Sequence, residues 1–261
     1  MTPEQLLGHY DNATFWLDAS GMDPDAAYQQ SLAVRALRAA RGEKPRGFKI
    51  GFTNRGIWPR YNVQGPIWGT VFDSTLAFCE GAGSVALAGI TQPRIEPECV
   101  IGMASTPPPD ASLDELFACV QWIAPGFEIV QSHMPGWKFS AGDTVADGGL
   151  HARLLVGRKV ATKDLASSAR EFEALLARAR VVLRQNGERT DEGVGGNVLD
   201  GPLHALQHFL KALRACPNAP DLTPGDVVTT GTWTDAWPVA AGEQWSADFD
   251  APLGSLEIRF S

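Results

Sequence analysis

The sequence predicts an α+β fold in which helices and strands are mixed without a repeating βαβ period. Two observations predict it. Apolar residues at helical spacing are confined to a few separate segments, while alternating apolar and polar residues mark strands, most densely toward the C-terminus. At 261 residues, with 44% hydrophobic and 20% charged residues, the chain is long enough to bury a substantial core.

The first predicted element is a helix from Asp23 to Arg41. Asp23 suits the N-cap, Pro24 the first helical position, and Gly42 lies just past the end. The following residues are rich in Gly, Pro and aromatics and predict a short strand, Phe48 to Phe52, then a long loop to about Phe72. Loops of that length inside a compact domain are usually functional.

The remaining elements are predicted from periodicity and turn signals. The helices are Ala111–Ile123, stopped by Pro125-Gly126, and one that begins at Pro202. The strands are Ser84–Ile90, Glu98–Met103, Ala177–Arg184, Val227–Thr230, Gln244–Phe249 and Ser255–Phe260. Asn186-Gly187 after the third of these strands is typical of a hairpin turn.

Composition argues against several classes of partner. The net charge is −8 and no block of basic residues occurs, so a nucleic-acid partner is not expected. No stretch has the run of apolar residues that a membrane span needs, and Met1–Gln5 does not open a secretion signal. The four cysteines have no C-x-x-C spacing, which favours buried reduced thiols in a cytoplasmic protein.

Two carboxylates stand two residues apart at the start of an apolar run. In a strand, residues i and i+2 point to the same face, so Glu96 and Glu98 are expected side by side. Like charges at that distance need a proton or a cation between them, and Mg²⁺ or Mn²⁺ prefers oxygen ligands. Glu128 adds a third acid among apolar residues. Each of these residues, taken alone, also fits a solvent-exposed position on a strand.

Several segments in a fixed order resemble a known family. They are Gly47–Thr53, Trp68–Asp73, the Glu96-x-Glu98 pair, Phe127–Val130, Asp143–Asp147, Gly201–Leu206, Thr223–Asp226 and Leu253–Phe260. Together they resemble the 2-keto-4-pentenoate hydratase and 2-oxo-hexenedioate decarboxylase branch of the fumarylacetoacetate hydrolase superfamily. With the N-terminal helix included, the resemblance covers nearly the whole chain.

The resemblance implies a fold and a metal site. The fold is a mixed β-roll core over residues 47–261 that carries the active site, preceded by an N-terminal helical segment over residues 1–46. Glu96, Glu98 and Glu128 match the family's ligands for Mg²⁺ or Mn²⁺, the third acid following Glu98 by thirty residues. The resemblance also implies assembly as a homo-oligomer.

The resemblance assigns two further residues to catalysis. Lys49 matches the family's lysine, where an ammonium would steady an enolate oxygen or pass a proton, with its pKa lowered by the nearby cation. A surface lysine is the alternative. Asp73 matches an acidic position that would relay a proton or orient water, and its alternative is the cap of a turn.

Three segments of the chain depart from the family pattern or match it loosely. His151 and Arg153 stand where the family has small polar residues, and each is a candidate for binding a second substrate carboxylate. His133, five residues past Glu128, is a candidate general acid or base. Thr232 lies in a turn that resembles one used by hydrolase members near a substrate carboxylate. A structural role is the alternative for each histidine and arginine.

These residues favour a metal-dependent lyase that acts on a small 2-oxo carboxylate in the catabolism of aromatic ring-cleavage products. Hydration of a 2-hydroxy-dienoate through a metal-stabilised enolate is preferred, because the ion would act as a Lewis acid. Decarboxylation of a 2-oxo-dienedioate uses the same electron sink. C–C bond hydrolysis of an acylpyruvate-type substrate, with His133 in the dyad, is a third possible reaction. A homologue that kept the fold without catalysis is the remaining possibility.

Overall fold

The computed structural model describes residues 1–261 and contains seven α-helices, five short 3₁₀ helices and fourteen strands. The helices are α1 (Pro3–Asn12), α2 (Pro24–Ala40), α3 (Trp58–Tyr61), α4 (Leu113–Ala118), α5 (Ala141–Ala146), α6 (Ala169–Arg178) and α7 (Pro202–Ala215). The strands of the first half are β1 (Pro45–Gly51), β2 (Ile67–Phe72), β3 (Leu76–Phe78), β4 (Ala82–Val85), β5 (Arg94–Met103), β6 (Val120–Val130) and β7 (His151–Val156). Those of the second half are β8 (Val160–Ala161), β9 (Arg180–Gln185), β10 (Glu188–Val194), β11 (Val227–Thr232), β12 (Trp237–Pro238), β13 (Gln244–Phe249) and β14 (Ser255–Phe260).

The strands form two mixed sheets. The larger sheet has nine strands in the order β2-β1-β11-β5-β6-β7-β3, with β12 paired to β5 and β8 paired to β6. The smaller sheet has five strands in the order β10-β9-β13-β14-β4. Parallel pairing occurs between β1 and β11, between β3 and β7, and between β4 and β14, while the other pairs are antiparallel. Strand β11, late in the chain, therefore lies between β1 and β5.

The N-terminal helices begin at well-defined caps and pack against the larger sheet. Thr2 and Gln5 form a capping box at the start of α1, and the Asp23 side chain accepts a hydrogen bond from the Ala26 amide at the start of α2. Tyr28 of α2 stacks on Trp68 of β2, with ring centroids 4.5 Å apart. The Tyr28 hydroxyl also accepts a hydrogen bond from the Trp68 amide, so this contact fixes α2 on the sheet.

The main hydrophobic core lies between the two sheets and helices α4, α6 and α7. Phe209 of α7 contacts Phe48 of β1 with ring centroids 5.3 Å apart, and Phe172 of α6 packs against Phe117 of α4 at 4.9 Å. Trp245 of β13 is fully buried in the same cluster. None of the helices combines the length and the apolar character that crossing a membrane requires.

The predicted fold class is confirmed, including the helices ahead of a mixed β core. One helix was predicted too long. Residues 111–123 were expected to be helical, but α4 ends at Ala118 and β6 runs from Val120 straight through Pro125-Gly126. Gly126 is needed there for packing, because a Cβ at this position would lie 2.4 Å from Val100 Cγ2. The Pro-Gly pair therefore marks a closely packed point within a strand and not the end of a helix.

Three smaller predictions are also corrected. The strand expected at Ser84–Ile90 is the short β4, which ends at Val85. The strand expected from Ala177 starts at Arg180, because α6 continues to Arg178. The expected loop up to Phe72 contains strand β2, which pairs with β1 along its whole length.

Candidate active site

Two neighbouring strands of the larger sheet, β5 and β6, bring three glutamates together. On the β5–β6 pair, Glu96 lies directly opposite Glu128, and on the β5–β11 pair Glu98 lies opposite Thr232. Because side chains alternate along a strand, Glu96 and Glu98 share one face with Glu128. One carboxylate oxygen from each of the three lies within 4.8 Å of the others.

The carboxylates are held by few hydrogen bonds from the protein. Glu98 Oε2 accepts one from the Gly231 amide at 2.6 Å, and His151 Nδ1 lies 2.9 Å from Glu128 Oε1. Glu98 and Glu128 are completely buried. Glu98 Oε1 and Glu128 Oε2 nevertheless have no hydrogen-bond partner. Buried polar atoms are rarely left in this state, so the two oxygens are available to a ligand.

The environment of the three carboxylates separates their pKa values. Burial and the neighbouring Glu128 raise the pKa of Glu98 well above its usual range. Burial also raises the pKa of Glu96, to about 7, against the opposing charge of Lys49. Burial acts on Glu128 in the same direction, but the Lys49 charge and the His151 hydrogen bond outweigh it and lower its pKa. Without a cation, Glu98 and in part Glu96 therefore favour the protonated form, and a bound dication would favour the ionised form of all three.

Lys49 lies beside the cluster on β1. Its Nζ donates a hydrogen bond to the Gly149 carbonyl at 2.7 Å and lies 3.5 Å from Glu128 Oε2. Burial lowers the pKa of Lys49, but Glu128, Glu96 and Glu98 together outweigh burial and raise it. The sequence led us to expect that a nearby cation would lower the pKa of Lys49. Without the cation, the surrounding carboxylates raise it. A bound dication would oppose the shift by neutralising them.

The three carboxylates fit a divalent cation. Their oxygens converge, and two of the buried oxygens, Glu98 Oε1 and Glu128 Oε2, lack a hydrogen-bond partner. Oxygen-only ligands suit Mg²⁺ or Mn²⁺, which keep further positions for water or substrate. Glu96, Glu98 and Glu128 would be the protein ligands.

A cavity of about 440 Å³ opens next to the cluster. Glu96, Lys49 and Thr232 line it. One wall is aromatic and is formed by stacked or edge-on rings: Phe52, Tyr61, Phe139 and Trp137. A flat aromatic wall beside charged groups suits a small conjugated acid.

The structure places two expected residues away from this cavity. Asp73 is exposed in the turn after β2, where its carboxylate accepts a hydrogen bond from the Lys44 amide at 2.9 Å. His133 is completely buried under α1, with its Nδ1 2.7 Å from Asp147 Oδ1 and its ring edge-on to Tyr10. The chain leaves the sheet at Val130, so His133 no longer follows the face of Glu128. Neither side chain lines the cavity.

His151 and Arg153 also do not line the cavity. His151 is buried behind Glu128, opposite Val130, and its Nε2 lies 2.9 Å from Thr75 Oγ1. A register shift in the β6–β7 pair then places Arg153 opposite Ile129 instead of on the glutamate face. The Arg153 guanidinium donates a hydrogen bond to the neighbouring Ala152 carbonyl. The structure therefore brings neither residue to the wall of this cavity.

Several residues of the site had not been singled out from the sequence. Arg94 and Arg60 line the cavity, and the Gly231 amide binds Glu98. Arg94 stands two residues before Glu96, so the alternation that paired the glutamates also places Arg94 on their face. For Arg60 and the Gly231 amide the sequence carries no comparable signal, because both depend on contacts between distant segments.

Relatives of known function match the chain over most of its length. A 2-hydroxyhexa-2,4-dienoate hydratase of Comamonas testosteroni is 30% identical over 92% of this chain and 87% of its own. The chain belongs to the 2-keto-4-pentenoate hydratase and 2-oxo-hexenedioate decarboxylase branch of the fumarylacetoacetate hydrolase superfamily. A 4-oxalocrotonate decarboxylase of Pseudomonas putida, also from this branch, is 27% identical over 90% of this chain and 84% of its own.

A solved structure from the same branch has the same fold. The 4-oxalocrotonate decarboxylase of Pseudomonas putida G7, complexed with magnesium and adipate, superimposes with a TM-score of 0.88 at 25% identity. The match covers 99% of this chain and 95% of that one. A comparison with models of protein families gives no match.

Proposed function

We propose that this protein is a divalent-metal-dependent lyase that hydrates a small 2-hydroxy-dienoate. The observation that carries the proposal is the convergence of Glu96, Glu98 and Glu128 at one cavity, with two buried oxygens lacking partners. The relatives named hydratase and decarboxylase, and the magnesium in the related decarboxylase structure, support it. Decarboxylation is the alternative that the same relatives support.

Hydration adds one water to the substrate. The hydroxyl group bonds to C4, protons bond to C3 and C5, and the 2-hydroxyl proton leaves to give a 2-oxo acid. Such a reaction needs a sink for electrons at the 2-oxygen and a group that moves protons at the carbon chain. When bound, the metal supplies Lewis acidity toward the carboxylate and 2-oxygen of the substrate.

Lys49 is the residue placed to move a proton. Its side chain lines the cavity beside Glu96, and its ammonium group can donate a proton to the carbon chain. The Gly149 carbonyl holds the ammonium in place, and Glu128 lies close enough to keep it charged. The aromatic wall of Phe52, Tyr61 and Trp137 would hold the dienoate flat and keep bulk water from it.

C–C bond hydrolysis is less well supported. It requires an activated water beside a His-Glu dyad, and the candidate His133 pairs with Asp147 away from the cavity. Product analysis separates the three reactions. A hydroxylated 2-oxo acid indicates hydration, release of CO₂ indicates decarboxylation, and pyruvate with a second acid indicates hydrolysis.

The test is an ultraviolet assay against a panel of 2-hydroxy-dienoates and dienedioates with Mg²⁺ present. The wild-type protein is expected to remove the conjugated absorbance, and Glu96→Ala is expected to remove it far more slowly. Glu257→Ala is the matched control, because Glu257 is exposed on β14, outside the cavity. Equal rates for wild type and Glu96→Ala would refute the proposal.

A further inference from the structure

Two histidines stand one turn apart on the outer side of helix α7. His204 and His208 are four residues apart within Pro202–Ala215, and residues at that spacing are neighbours on one helix face. Both are half-buried, whereas Ala205 and Phe209 on the inner side of the helix are buried in the main core. One rigid element therefore carries two imidazole rings side by side at the protein surface.

A buried carboxylate supports the ring of His204 from behind. Glu173 of α6 is 6% exposed, and its Oε1 lies 2.6 Å from His204 Nδ1. The same carboxylate accepts hydrogen bonds from the amides of Leu203 and His204, each at 3.0 Å. In the neutral ring, Nδ1 therefore carries the proton and Nε2 keeps its lone pair. A carboxylate bonded to one ring nitrogen is the usual support of a histidine that binds a metal ion through the other.

His208 offers a second nitrogen. Its ring makes no hydrogen bond to the protein. Burial and the nearby charges of Arg55 and Lys211 lower the pKa of His208, and the charge of Asp200 opposes this shift. The neutral imidazole that results is the form that binds metals.

The two cations near His208 also act against a bound metal ion, but their effect is limited. Arg55 pairs with Asp200 at 2.8 Å, so its charge is largely offset. Lys211 is exposed, and solvent and salt screen its charge. We therefore expect a metal ion at this pair to bind with moderate affinity.

The donor atoms determine which class of ion the pair can hold. Imidazole nitrogen suits Zn²⁺, Ni²⁺ and Cu²⁺, whereas the carboxylates of Glu96, Glu98 and Glu128 suit Mg²⁺ or Mn²⁺. Histidines at positions i and i+4 of a helix can hold one such ion between them. Neither histidine lines the cavity, so the two sets of ligands are separate.

We propose that His204 and His208 form a second metal site, which binds a first-row transition-metal ion of the Zn²⁺ and Ni²⁺ class on the outer face of α7. His204 binds the ion through Nε2, and His208 through a ring nitrogen. Glu173 is a positioning residue that holds the His204 ring. This inference does not rest on the proposed function, because none of the three residues lines the cavity.

The test is a calorimetric titration of the protein with Ni²⁺ in the presence of excess Mg²⁺, which competes for the carboxylates of the cavity. We expect one equivalent of Ni²⁺ to bind. His204→Gln and His208→Gln should each weaken this binding at least tenfold, because a single imidazole loses the gain from two linked ligands. His9→Gln is the matched control and should stay within twofold of wild type. His9 is a half-buried histidine of α1 with no second histidine one turn away.

Glu173→Gln tests the support of His204 while both imidazoles remain. A neutral amide accepts the Nδ1 proton less strongly than a carboxylate does, so Ni²⁺ should bind about tenfold more weakly. Thermal unfolding of each variant without metal verifies its fold. His208→Gln, which changes a half-buried ring without hydrogen bonds, provides the comparison if Glu173→Gln is unstable.

Two results would overturn the second metal site. One is the absence of Ni²⁺ binding when Mg²⁺ is in excess. The other is an affinity within twofold of wild type in either His204→Gln or His208→Gln. Because the titration measures affinity and stoichiometry and not turnover, a protein without lyase activity can still have this site, and an active lyase can lack it.

Discussion

His151 Nδ1 lies 2.9 Å from Glu128 Oε1, and Nε2 of the same ring lies 2.9 Å from Thr75 Oγ1. Burial lowers the pKa of His151 and so favours the neutral ring, while Glu128 is kept ionised. The neutral ring therefore donates from Nδ1 to the carboxylate, while Nε2 faces the Thr75 hydroxyl, which also has the Phe72 carbonyl within 3.1 Å. This leaves Glu128 Oε2 without a hydrogen-bond partner. His151 thus orients Glu128, one of the proposed metal ligands, from behind.

Loss of this contact should weaken metal binding. We expect His151→Ala to lower the affinity for Mn²⁺ by about tenfold to hundredfold, because Glu128 is no longer held in one orientation. His151→Asn, whose amide can replace Nδ1 as donor, should retain more of the affinity. Calorimetric titration of the metal-free proteins measures this. An unchanged affinity in His151→Ala would show that Glu128 needs no such support.

Glu98→Gln should have opposite effects on two properties. It should stabilise the metal-free protein and remove the stabilisation by Mg²⁺. Removing one buried carboxylate relieves repulsion, so the metal-free variant should melt about 2–6 °C higher than wild type. Mg²⁺ should raise the melting temperature of wild type and leave that of the variant unchanged. Glu257→Gln, on an exposed strand face, should respond to Mg²⁺ as wild type does. A normal Mg²⁺ response in Glu98→Gln would remove Glu98 from the metal site.

Lys49→Met should abolish turnover without abolishing metal binding. In the proposed reaction this side chain supplies a proton at the cavity, and loss of such a group costs about 10²–10⁴ in rate. Because a positive charge beside the cluster disappears, Mg²⁺ should bind at least as tightly as in wild type. Steady-state rates and calorimetry measure the two effects. Turnover within tenfold of wild type would exclude Lys49 from the reaction.

Asp73→Asn should leave turnover within twofold of wild type. The carboxylate is exposed, outside the cavity, and accepts a hydrogen bond from the Lys44 amide that an asparagine oxygen can also accept. The turnover of Asp73→Asn is measured with the same ultraviolet assay. A loss of more than tenfold, in a variant with an unchanged melting temperature, would return Asp73 to a role in catalysis.

Glu43 should make stability depend on pH in the acid range. Burial raises its pKa, but hydrogen bonds from Arg38, Ser74 and Arg41 outweigh burial and lower the pKa to about 2. The folded protein thus holds the proton less tightly than the unfolded chain. Glu43 therefore adds to the free energy of unfolding above about pH 4.5, and this stabilisation is lost as the pH falls toward 2.

The measurement is denaturant unfolding of wild type and Glu43→Gln between pH 2.5 and pH 7. The free energy of unfolding should differ by about 1–2 kcal/mol at pH 7, and the difference should shrink toward the acid end. A difference that does not vary with pH would show that the ion pairs of Glu43 contribute nothing in solution.

The features that could be predicted from the sequence are those set by local periodicity. Strand alternation placed Glu96 and Glu98 on one face, and the N-cap Asp23 located α2 within one residue. The third acid, Glu128, was reached through the family resemblance, since its position opposite Glu96 depends on strand pairing. The same alternation would have identified Arg94, had it been followed two residues toward the N-terminus.

Three predicted site residues lie outside the cavity lining, for physical reasons that no local pattern reveals. His133 follows Glu128 by five residues, but the chain leaves the sheet at Val130 and carries it beneath α1. Arg153 is displaced from the expected face by a register shift in β7. Asp73 lies at the turn after β2, where its place at the end of a matching segment says nothing about the direction of its side chain. Each outcome was decided by tertiary packing.

Strand β11, inserted between β1 and β5, has a consequence for how the protein is made. Its Gly231 amide holds Glu98, while Lys49 comes from the other neighbour of β11. The chain must therefore be synthesised through residue 232, the end of β11, before β1, β11, β5 and β6 can assemble the proposed ion site. Contacts between such distant residues form slowly, so acquisition of the ion should mark one of the last events in folding.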